Sequence, residues 1–76
     1  MKIKIKKIKE LEDALHPNNI KEGFEITRNV DEKYFKEPQL GKRFWVGTFS
    51  TSGVQEIINE NTFRTYSSIY HWEKVD

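Results

Sequence analysis

The chain has no cysteine, so neither a disulfide nor a thiolate metal ligand can supplement its core. It lacks the apolar stretch of a secretory signal, and no window approaches the roughly 20 apolar residues of a membrane helix. No repeat or low-complexity linker divides it. These absences lead to the expectation of one soluble domain that acts in the cytoplasm, the host cytoplasm if the chain is phage-encoded. A broad basic face is also missing. Five lysines fall within residues 1–9, and residues 10–76 carry a net charge of −4. The chain therefore does not read as a general nucleic-acid binder.

What is present is aromatic. Five Phe, three Tyr and two Trp occur among 76 residues. A domain of about 60 residues buries only ~60% of its unfolded surface, so the large area of each ring must supply much of the stability.

The opening KIKIK alternates, with Ile3 and Ile5 on one face and Lys2, Lys4 and Lys6 on the other, as in a half-buried strand. The phase then breaks. Ile8, Leu11 and Leu15 recur at helical spacing ahead of Pro17-Asn18-Asn19, which predicts a short helix over 8–15. GFEITRNV follows as a strand. DEKYFKEPQLG, with Pro38 and Gly41, is the longest irregular stretch. KRFWVGTF is the strongest strand signal, STSG reads as a flexible tip, and VQEII, TFRTY and IYHWEKV follow as strands around NEN and SS connections. The organisation expected is a lysine-rich strand over 1–9, the helix, and a barrel body over 23–76. Five or six short strands in so small a chain predict a mainly β, SH3-like barrel, with an OB-like barrel as the alternative.

HPNNI, the P-x-x-G-x-x-F of Pro38–Phe44, STSGVQEI and FRTYSSIYHWE together resemble a set of small single-domain proteins of phages and gut bacteria. The resemblance covers residues 16–73 and implies a phage or prophage setting. Those relatives have no assigned activity, so no functional residue is carried over.

No catalytic or metal constellation emerges from the residue types. His16 and His71 are the only histidines, too few for a zinc site without acidic ligands and an orienting shell. Ser50, Thr51, Ser52, Ser67 and Ser68 lie in turn-like stretches where serine is expected, and Gly41, Gly47 and Gly53 do not have phosphate-cradling spacing. The expectation is no enzyme, no cofactor and no metal. The lysine strip reads first as a guard against edge-to-edge strand pairing. In the alternative, Lys2, Lys4 and Lys6 contact phosphates, provided Lys42, Arg43 and Arg64 share their face.

The rings are too many for one interior. Neighbours in a strand point to opposite faces, so Phe44 and Trp45 cannot both enter one core. By the same rule Tyr70 and Trp72 share a face. The surplus is either covered by the helix over 8–15, the favoured reading because an uncovered amphipathic helix has nothing to hold it, or left exposed as a groove. The functional reading takes the groove: a protein–protein interaction module with Trp45, Tyr66, Tyr70 and Trp72 as apolar anchors and Arg43 and Arg64 as orienting donors. Asp31, Glu32 and Glu37 lean towards a partner carrying basic residues. The alternatives are a nucleic-acid-binding barrel and a structural virion or assembly component that self-associates through KIKIK. No membrane partner is expected, and the oligomeric state stays open.

Overall fold

A computed structural model describes residues 1–11 and 21–75. Six strands appear in chain order: β1 (Lys2–Glu10), β2 (Glu25–Asn29), β3 (Arg43–Val46), β4 (Phe49–Asn59), β5 (Thr62–Thr65) and β6 (Ser68–Lys74). The sheet order is β2-β1-β6-β5-β4-β3, with every strand pair antiparallel. The result is a nearly closed small barrel of the SH3/OB-like kind, as the strand pattern predicts.

Period-two alternation builds the interior. Ile3 and Ile5 of β1, Phe44 and Val46 of β3, Val54 of β4, Phe63 of β5, and Tyr70 and Trp72 of β6 form one buried cluster. Its rings touch in sequence: Phe44 lies 5.2 Å from Phe63 and 5.5 Å from Trp72, and Phe63 stacks on Tyr70 at 5.6 Å, centroid to centroid. Such pairs add about 0.5–1.5 kcal/mol each beyond the area they bury. Tyr70 and Trp72, only 7% and 4% exposed, are therefore core and not surface anchors. The reason is that β6 sits between β1 and β5, and its face bearing Tyr70 and Trp72 is the one turned inward.

Closure depends on one long strand. β4 pairs with β3 through Phe49–Gly53 and with β5 from Val54 onward, so the sheet turns a corner at Gly53-Val54. STSG is thus a bend inside β4 and not a tip. Thr51 holds it: its hydroxyl accepts the Phe44 amide at 3.2 Å and donates to the Ser52 carbonyl at 2.7 Å. The β3–β4 hairpin instead turns at Gly47-Thr48. Gly47 has φ +63° and Thr48 is not left-handed, the pattern of a type II′ turn, which needs glycine at its first central position.

The phase break after Lys7 has a different cause from the helix expected over 8–15. β1 runs on to Glu10, and its register against β6 shifts between Lys7 and Lys9. Ile8 is the extra residue of a β-bulge, which lets one strand turn its face without ending. Residues 12–15, and His16 with them, lie outside the described residues. The bulge places Lys7 and Glu10, opposite Tyr70 and Ser68, on the inward side. Lys7 is 0% exposed and its ammonium is ion-paired with Glu10.

Nor is β1 an edge. It is flanked by β2 and β6, so in the folded barrel KIKIK can neither guard an edge nor serve as one for self-association. β1 belongs to the barrel body expected only from residue 23. The edges are β2 and β3; no ladder joins them, and the contacts across the gap fall at the β3–β4 turn. Phe24 stacks on Phe49 at 6.0 Å, and the Arg28 side chain lies over the turn, its Cβ 3.7 Å from where a Gly47 Cβ would stand.

Candidate functional site

After Asn29 the chain leaves this seam and does not rejoin the sheet until Leu40 and Arg43. The diverging segment is pinned by a turn in which the Asp31 carbonyl accepts the amides of Tyr34 and Phe35, while Asp31 Oδ1 accepts the Lys33 amide at 2.9 Å. That turn aims consecutive rings in opposite directions. Phe35 packs inward against Phe44 and Trp72, at 6.1 and 5.6 Å. Tyr34 is left 73% exposed.

Between this loop and β3 lies a groove of about 700 Å³, within the size range of small-ligand and peptide clefts. Trp45, 53% exposed, forms one wall, because alternation sends Phe44 and Val46 inward and leaves Arg43 and Trp45 outward. Tyr34 and Phe35 line the loop side. Lys36, Lys42 and Arg43 bring positive charge to the lining, and Asp31 and Glu37 negative charge. Large apolar rings at a wet surface with nearby charged donors are the usual ingredients of binding hot spots.

Of the residues singled out in the sequence, the fold brings Arg43 and Trp45 together here, with Asp31, Glu37 and Lys42 in the same lining. Arg64 and Tyr66 lie elsewhere. Arg64 Nε donates to Glu56 at 3.1 Å on the β4–β5 ladder, and Tyr66 is exposed at the β5–β6 turn. Tyr34 and Lys36 are groove residues that pattern reading missed, and Lys42 enters that reading only as a phosphate contact. The signal was a Tyr-Phe pair inside a segment bounded by Pro38 and Gly41, which read only as irregular.

The lysine strip is real and is partly neutralised, at Lys4. Lys4 lies 3.1 Å from Glu25 and 3.7 Å from Glu73, its register neighbour on β6. The Glu25 carboxylate, then Glu73, holds the Lys4 ammonium above its ordinary value of 10.5. Lys6 stands opposite Glu25 on one side and His71 on the other, and Lys2 stands opposite Asn29. Arg64 shares the row of Lys9 through Ile69, whereas Lys42 and Arg43 belong to the groove. The shared face that phosphate binding requires is not assembled. His71 Nδ1 lies 3.5 Å from the Thr62 hydroxyl. Among the described residues, no cluster of three or more His, Cys, Asp or Glu is placed to hold a metal ion, and no helix is long and apolar enough to cross a membrane.

Comparison with family models, with curated proteins and with solved structures gave no match to this chain.

Proposed function

We infer that this chain is a non-catalytic protein–protein interaction module that captures a segment of a partner protein in the groove beside β3. The observation that carries this reading is Trp45, a large ring kept half out of a core that has room for its neighbour Phe44. The exposed Tyr34 faces the same groove. The energetic logic is that of hot spots: a few aromatic anchors dominate, and surrounding polar groups orient the ligand. A phage or prophage accessory role in a host cytoplasm belongs to the same reading and rests on the resemblance of residues 16–73.

Trp45→Ala and Tyr34→Ala test it directly. Both variants are expected to melt within a few degrees of the parent chain and to lose capture of the partner from native-host lysate. Capture is run on nuclease-treated and untreated halves. A partner retained equally by Trp45→Ala would refute the groove. Material that disappears with nuclease would move the reading to nucleic acid.

A further inference from the structure

The free edge of β3 adds a second component to the groove. Phe44 directs its amide at Thr51 in β4, and the Lys42 carbonyl accepts the Val54 amide at 2.9 Å. Lys42 and Phe44 thus face β4. Antiparallel alternation then leaves Arg43 and Trp45 with their amides and carbonyls turned to the other side. β3 ends the sheet on that side, and the loop beginning at Val30 stands off from it across the groove. Unpaired backbone groups of this kind are a template for an added strand.

The charges state what that strand carries. Among the described residues, Lys4, Lys7 and Arg64 make ion pairs. The groove cations Lys36, Lys42 and Arg43 take part in none. On the acidic side, Asp31 already caps its own turn through Oδ1. The loop acids lean towards a basic partner when read as sequence, but the groove lining sets three cations, Lys36, Lys42 and Arg43, against Asp31 and Glu37, with Asp31 engaged in its own turn, so the balance favours an acid.

Resting on the interaction reading above, we propose that the groove binds an extended, acid-bearing peptide of a partner protein as a seventh strand on β3. The peptide sets a carboxylate opposite Arg43 and an apolar side chain opposite Trp45. Arg43 and Trp45 are two positions apart on one face, so the peptide's acidic and apolar residues are also two apart. The register supplies main-chain hydrogen bonds, the guanidinium pairs with the carboxylate, and the indole packs on the apolar side chain.

The test uses synthetic octapeptides on a Thr/Val strand-forming background, read by fluorescence anisotropy. One position is Glu, Lys or Ser, and the position two residues away, in either direction, is Leu or Ser. Glu-x-Leu or Leu-x-Glu peptides are expected to bind roughly tenfold or more tightly than their Lys counterparts. Arg43→Glu is expected to invert that preference, and Trp45→Ala to remove the dependence on Leu. N-methylation of one alternate set of peptide amides should abolish binding, and methylation of the other set should be tolerated.

Binding that survives methylation of every amide would overturn strand addition while leaving peptide capture standing. Preference for Lys peptides would overturn the acidic assignment. Failure of every peptide to bind would overturn the inference, and the lysate capture with Trp45→Ala would then decide separately on the interaction reading. Concentration-dependent dimerisation of the parent chain that Trp45→Ala removes would identify a second copy as the occupant and overturn the proposal.

Discussion

Removing the charge of Glu10 is expected to be one of the most damaging single changes on β1, although Glu10 is itself partly exposed. Lys7 is 0% exposed, and the Glu10 side chain, 19% exposed, stands on its ammonium. Glu10→Gln takes a carboxylate from beside a fully buried ammonium, and breaking a buried pair by removing one member costs about 3–5 kcal/mol. Because water reaches the Glu10 end, the loss for Glu10→Gln belongs near the lower limit, about 3 kcal/mol. In a domain of this size that lowers the melting temperature by roughly 12–24 °C. Lys7→Met behaves differently. It fills the same space with an apolar chain and leaves a partly exposed carboxylate near the Ser68 hydroxyl, 3.5 Å away, so about 1 kcal/mol is expected. The double variant Lys7→Met/Glu10→Gln should recover most of the loss from Glu10→Gln, since apolar replacement of a buried pair is often neutral. Thermal and urea melts followed by tryptophan emission, with Trp72 reporting from the core, measure all three. Equal losses for the two single variants, or a double variant worse than either, would refute the argument that burial of the ammonium sets the asymmetry.

Two further outcomes follow from the core. Phe44→Ala should cost about 3–5 kcal/mol while Trp45→Ala, one residue on, stays within about 1 kcal/mol; urea denaturation of the two variants checks it. Burial, reinforced by Glu10 and opposed by a Ser68 hydrogen bond, holds the Tyr70 phenol above its ordinary 10.0. Its contribution is therefore complete below pH 10 and lost as pH rises through the higher folded-state value. Alkaline denaturation should show that loss, and Tyr70→Phe should flatten it.

Strand content was legible because alternation is a local property: KIKIK, KRFWV and IYHWEKV each showed which side chains share a face. The opposition of Phe44 and Trp45 needed nothing more. What stayed illegible depends on neighbours. A bulge at Ile8 and the start of a helix look alike in sequence, since both break a period of two, and only the register against β6 separates them. Tyr70 and Trp72 offered no sign of being inward, because which face of a strand is buried is decided by the strands on either side. The groove was half visible for a related reason. Arg43 and Trp45 lie on a strand, where pattern has meaning, whereas Tyr34 is oriented by the hydrogen bonds of a single turn around Asp31.

The position of β1 has a consequence for how the chain comes into being. Synthesis delivers β1 before any other strand and β6 after all of them, yet the two are adjacent in the sheet. That ladder closes the longest loop in the fold, which favours slow, all-or-none folding in which the first strand waits for the last. During the wait the edge of β1 that β2 does not cover stands open on a nascent chain, the circumstance in which strands aggregate. Lysine at every second position keeps such a segment apart from its copies by repulsion. In the finished barrel Glu25 and Glu73 then cancel part of that charge at Lys4, and the same side chain that kept the strand solitary becomes an ordinary cross-strand tie.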